Sequence, residues 1–183
     1  MTILEAQADV RRVFRNGVPG SVISAVLWLA SAACATWVNE RTAILVLVFG
    51  GMLIFPTLLA VLHLLGGPAG LPKDHPMNAL GMQVALVAPL AMPVAGGAAL
   101  YRLDWFYPAF MVVVGAHYLP FTFLYGMKVF TVLAYAMVAG GLMLGLYGPR
   151  EFALGGWING GALMALALWL LATRGAGNKP ATG

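Results

Sequence analysis

One cysteine, three histidines and six carboxylates are all that this chain offers to chemistry needing a thiol, an imidazole or an acid. The lone Cys34 excludes an intrachain disulfide, and no CxxC or Cys/His zinc spacing occurs. Glu5, Asp9, Glu40, Asp74, Asp104 and Glu151 all fall in the N-terminal segment or in short polar breaks. A paired-carboxylate acid–base site inside the apolar stretches is thereby excluded. No GxSxG, HExxH or phosphate-cradling glycine loop is present. Charge is scarce as well: 9% of residues are charged, against about 25% in soluble domains. The ten basic residues are scattered among short loops and form no stripe, so the net charge of +4 does not point to nucleic acid.

What is abundant is apolar surface. Hydrophobic residues make up 61% of the chain and mean hydropathy is +0.88, which predicts an all-α integral membrane protein. Crossing roughly 30 Å of hydrocarbon takes about 20 apolar residues, and six stretches meet that length. They lie near residues 18–38, 43–65, 79–100, 105–127, 129–147 and 152–173. The expected organisation is an amphipathic interfacial segment over 1–16, a six-helix transmembrane domain over 17–174 and a flexible tail over 175–183.

Positive side chains are retained on the cytoplasmic face of a membrane. Arg11, Arg12, Arg15, Lys73, Lys128, Arg174 and Lys179 fall on one side of the six spans, and Arg41, Arg102 and Arg150 on the other. Both termini are therefore expected in the cytoplasm, of a bacterial cell by the look of the chain. Trp37, Tyr101, Trp105, Tyr107, Tyr147 and Trp157 gather near the opposite boundary, where amphipathic rings favour the headgroup zone. Ile3, Val10 and Phe14 recur at helical spacing among Glu5, Asp9 and three arginines, so residues 2–15 are expected to lie on the inner leaflet, with docking to a partner as the rival reading. Ser31-Ala32-Ala33-Cys34-Ala35 loosely resembles a processing site, but a lipobox carries a large aliphatic residue where Ser31 stands; an uncleaved first span is the preferred reading.

Loop 66–78, GGPAGLPKDHPMN, is rich in helix breakers, and Asp74 just ahead of Pro76 is expected to cap the third span. Four prolines sit inside spans: Pro56 in the second, Pro89 and Pro93 in the third, Pro120 in the fourth. Counted at 1.5 Å per residue, all lie within about 6 Å of one depth near the midplane. An interior proline frees the carbonyl four residues back, and such a carbonyl survives in hydrocarbon only where protein, water or a ligand covers it. A polar cavity among spans two, three and four is the expectation. Spans five and six carry GxxxG patterns, Gly141 with Gly145 and Gly156 with Gly160, which predict a tightly packed hairpin or, alternatively, a homo-oligomer face. Three spans stand on each side of residues 101–104, so an inverted repeat is geometrically open, although no convincing sequence similarity joins the halves.

Within GAHYLPFTFLYG, His117 falls near the bilayer centre, where an ionisable group counts as a functional hypothesis by default. Tyr118, Thr122 and Tyr125 continue as a polar stripe, and Gln83 and Asn78 stand near its inner end. These six residues form the candidate ligand site. His63, Asp74 and His75 are the candidates for a metal at the inner mouth, at a spacing of almost no specificity. His63 and His117 differ in depth by roughly 12 Å, which excludes an intrachain bis-histidine haem, and no cofactor is legible. The leading function is binding or permeation of a small polar solute or ion at a midplane site. The alternatives are a membrane enzyme acting on a lipid-like substrate with a His/Asp site at the inner mouth, and a non-catalytic scaffold subunit.

Overall fold

The computed structural model describes residues 1–68 and 70–176, and these residues are helical almost throughout, with no strand among them. α1 (Ile3–Val13) precedes α2 (Val18–Trp37), α3 (Glu40–Leu64), α4 (Met77–Tyr101), α5 (Phe106–Tyr118), α6 (Phe121–Tyr125), α7 (Val129–Tyr147) and α8 (Leu154–Ala176). The fourth expected span is α5 and α6 together, and the described residues carry six helical stretches long and apolar enough to cross a membrane, the character of a multi-pass membrane protein. Most of the tail expected to be flexible, from residue 177 on, lies outside the described residues.

Local chemistry accounts for the element ends. Thr2 and Glu5 form a capping box on α1, Asn39 accepts from the Thr42 amide at the start of α3, and Pro19 occupies the first turn of α2, where its missing N–H is no loss. Pro120 has no amide to give, so the ladder around it shortens to three-residue bonds, Leu119 N–H to Ala116 and Thr122 N–H to Leu119, and α5 ends. Asp74 does not cap α4: it is exposed, and the Nδ1 of His75 accepts from the Met77 amide instead, at 3.2 Å. Pro76 holds the cap position, which sets the imidazole of the residue before it next to the free amide.

The helices pack as two triplets. α2 lies between α3 and α8, and α5 lies between α4 and α7; α3 touches α4, and α7 touches α8, only lightly. The triplets meet along an aromatic seam, Trp28 against Tyr107 at 5.9 Å and Phe110 at 5.4 Å between ring centroids. Tyr107 is fully buried there, whereas Trp37, Tyr101 and Tyr147 are exposed. Its hydroxyl lies 2.5 Å from that of Ser31, which in turn lies 2.8 Å from the Ala43 carbonyl. Ser31 has one proton and gives it to the carbonyl, so Tyr107 must donate to Ser31. The resembled processing site thus lies in mid-helix on α2, with its serine fixed to two neighbouring helices.

The glycine patterns are used inside the chain. A methyl on Gly141 or Gly145 would meet Pro108 of α5; one on Gly156 would meet Ala32 and Tyr107, and one on Gly160 Leu29.

α1 lies across the end of the bundle where α4 begins and α6 ends. Ala6, Gln7, Val10 and Val13 are buried beneath it, while Ile3, Leu4 and Arg12 point away. The Gln7 amide donates to the Phe123 carbonyl at 2.6 Å and the Arg11 guanidinium to the Tyr125 carbonyl at 2.5 Å. These are among the last carbonyls of α6, which a helix end leaves without partners. Gly126 closes that end with φ +64°, and a methyl there would press on the Gln7 amide. Gly126→Ala is therefore expected to lower stability by about 1–2 kcal/mol from the left-handed backbone alone. It should also release α1, read as faster proteolysis near Arg11 and Arg12 in detergent.

Candidate functional site

The prolines of α4 face a cleft, but not a polar one. It holds about 600 Å³ and is walled by Val48 and Met52 of α3, Pro89 and Met92 of α4, and Phe106 and Phe110 of α5. Every residue lining it is apolar. The cleft exists because α3 and α4 barely touch; Met92 lies close to Gly51. It occupies the half of the bundle away from α1, since its walls are the first part of α3, the last part of α4 and the start of α5. A second apolar cleft of about 240 Å³ lies on the other side of α4, between Val94 and Ala98, Pro108 and Val112 of α5, and Gly141 and Gly145 of α7. The second half of α4 is thus flanked by open apolar space on both sides.

Neither cleft is lined by any of the six residues singled out in the sequence. His117 is half-buried; its ring lies 5.1 Å from that of Phe121 and 5.8 Å from that of Tyr118, both edge-on, and approaches the backbone of Val84 on α4. Its Nδ1 is buried without a hydrogen-bond partner. Tyr118 and Tyr125 are buried in an aromatic cluster with Phe121 and Phe130, at ring separations of 5.1–6.2 Å. Thr122 is joined to Thr131 of α7 at 2.8 Å. Gln83 is exposed on α4, and Asn78 donates to the Pro72 and Lys73 carbonyls, tying down the loop before α4. The stripe therefore divides: Tyr118 of α5 and Tyr125 and Thr122 of α6 pack against α7, Asn78 shapes a loop, and His117 stands beside α4.

The three metal candidates do not converge. His63 and Asp74 are exposed, while His75 is buried with Nε2 3.5 Å from an Asp9 carboxylate oxygen on α1. Among the described residues no three His, Cys, Asp or Glu side chains lie close enough to share a metal ion. At the far end of the bundle Arg102 and Asp104 form an ion pair, with the guanidinium also 5.2 Å from the Trp105 ring. The carboxylate raises the Arg102 pKa above its ordinary value.

Two features escaped the sequence reading. The roles of Gln7 and Arg11 as caps on α6 carry no local signal, since their acceptors lie more than a hundred residues away. Asn159, fully buried in α8 with both amide atoms unpartnered, was visible as the one amide in a glycine-flanked apolar run.

A family model described as a family of unknown function (DUF7010) matches residues 3–173, from the first turn of α1 to the last turns of α8. No curated protein matches the chain, and no solved structure does.

Proposed function

We propose that this chain, which belongs to the DUF7010 family of unknown function, binds a lipid-like molecule in the cleft between α3, α4 and α5. The single observation carrying this reading is the cleft's composition. At about 600 Å³ it falls within the range of small-molecule sites, and no side chain in its wall can hydrogen-bond. A polar solute entering it would lose its hydration for nothing in return, whereas an acyl or isoprenoid chain gains dispersion contacts with methionine, proline and phenylalanine. Five basic residues, Arg11, Arg12, Arg15, Lys73 and Lys128, cluster at the α1 end, against Arg41, Arg102 and Arg150 at the other. On the positive-inside rule α1 and both termini are cytoplasmic, in a cell membrane of bacterial type, and the cleft opens in the outer leaflet.

Gly96 supplies the test, because it lines the cleft and a methyl on it would meet nothing within 4 Å. Gly96→Trp should fill the cleft without disturbing the fold. With a photoactivatable palmitoyl phospholipid in vesicles, crosslinking to α3 and α4 is expected in the native chain and at least about tenfold less in Gly96→Trp, with equal thermal stability. Equal labelling of the two proteins would refute the reading.

The unpartnered Nδ1 of His117 favours a second reading, in which a polar solute or ion reaches that imidazole. The two readings separate on His117→Ala: lipid crosslinking is unaffected under the first, while flux of the solute is lost under the second.

A further inference from the structure

We infer that the two halves of the chain are inverted repeats, and that α4 and α8 exchange seats to carry the bound lipid-like molecule from one leaflet to the other. The inference rests on the cleft reading for its cargo, and on separate observations for its motion.

The halves share a plan. Each opens with a short 3-10 turn, Arg15–Gly17 in one and Leu103–Trp105 in the other, and each turn leads straight into a span with a proline in its first turn, Pro19 and Pro108. At five positions of the first two turns the buried face repeats, although further on Trp28, Ser31 and Ala32 are buried where His117, Pro120 and Phe121 are not. Val18, Pro19, Ser21, Ser24 and Ala25 are buried, and so are the residues 89 positions later in each case, Tyr107, Pro108, Phe110, Val113 and Val114. The pairing repeats too. α2 packs on α3 as α5 packs on α7; α2 takes α8 on its other flank as α5 takes α4; and the α3–α4 contact is as slight as that between α7 and α8. Three spans per half is an odd number, so the second half must run upside down relative to the first.

The equivalents differ in burial, α3 at 6% against α7 at 28%, and most widely between α4 and α8. α8 is seated along its length on α2, with 44% of its span buried and Leu163, Leu166, Ala167 and Leu170 all covered in its second half. α4 has only 11% of its span buried, and in its second half only Ala95 is covered. The difference is the cleft. Two inverted repeats in unlike conformations have an alternative in which each adopts the other's: α4 closes onto α5, the second half of α8 lifts from α2, and a cleft opens at the α1 end. Both helices have the means to bend. Pro89 and Pro93 interrupt the ladder of α4 in its middle and second half, and α8 carries the adjacent Gly160 and Gly161 in its first half. A lipid-like molecule released into the second cleft has changed leaflet, with no bond made or broken.

The motion is measured by double electron–electron resonance on exposed sites in a Cys34→Ala background: Leu100→Cys with Tyr147→Cys for α4, and Leu64→Cys with Thr173→Cys for α8. Two distance populations are expected for each pair, and Gly96→Trp should collapse each to one. Transfer is measured as reduction by external dithionite of a fluorescently headgroup-labelled phosphatidylglycerol in phosphatidylglycerol/phosphatidylethanolamine vesicles. The native chain should expose inner-leaflet lipid at least about tenfold faster than Gly96→Trp. One narrow distance for the α8 pair, under all conditions, overturns the exchange even where photolipid crosslinking at the cleft persists. Two α8 populations without crosslinking retain the exchange and remove the lipid-like cargo, and with it the cleft reading.

Discussion

Gly141→Ala is expected to unfold much of the protein, while Gly161→Ala, the same change one helix later, is expected to leave it intact or slightly more stable. At Gly141 the added methyl would stand 2.6 Å from the Pro108 carbonyl oxygen, 3.0 Å from Val112 and 3.1 Å from the Met111 Cβ. The first of these is backbone, so relief requires α5 and α7 to move apart along one of the closest helix pairs in the molecule. Overpacking of this kind typically costs about 1–3 kcal/mol, and a clash with backbone belongs at the upper end. At Gly161 nothing lies within 4 Å, and alanine gains about 0.5–1 kcal/mol in a helix over glycine. Thermal denaturation of the two variants in the same detergent decides the matter; a similar loss in both would mean that backbone propensity rather than close approach governs these glycines.

Ser31→Ala should destabilise more than Tyr107→Phe, although each deletes one oxygen from the same chain of hydrogen bonds. Loss of Ser31 strands the buried Tyr107 hydroxyl and takes a donor from the Ala43 carbonyl. Leaving one buried polar group without a partner costs about 1–3 kcal/mol, and since the Ala43 carbonyl keeps its bond within α3, about 2–3 kcal/mol is expected. Tyr107→Phe removes only the outermost donor, and Ser31 keeps its bond to Ala43, for about 1 kcal/mol. Reversible unfolding of both variants in mixed micelles measures the order. A larger loss in Tyr107→Phe would reverse the assigned direction of donation, or place the weight on ring packing against Trp28.

The spans were legible to within a few residues because crossing a membrane is a requirement on length and composition alone. The stretch 43–65 became Glu40–Leu64, 79–100 became Met77–Tyr101, and 129–147 became Val129–Tyr147. Pro120 likewise announced the break between α5 and α6, since a missing amide has the same consequence in any context. The candidate site was legible in one respect, the association of span three's prolines with a cleft among spans two, three and four. Its chemistry was not: the carbonyls at the end of the broken fourth span are taken up by Gln7 and Arg11, from a segment the sequence placed on the membrane surface.

By itself, then, the sequence determined that six helices form, where each begins and ends, and where backbone is weakened, because those outcomes depend on local composition and on the thickness of hydrocarbon. Which helix lies beside which, which glycines are closed by which neighbours, and that α4 stands off where α8 is seated were decided only in three dimensions. A span surrounded by lipid is apolar on every side, so no pattern along it marks the face that will meet protein; shape, tested helix against helix, makes that choice.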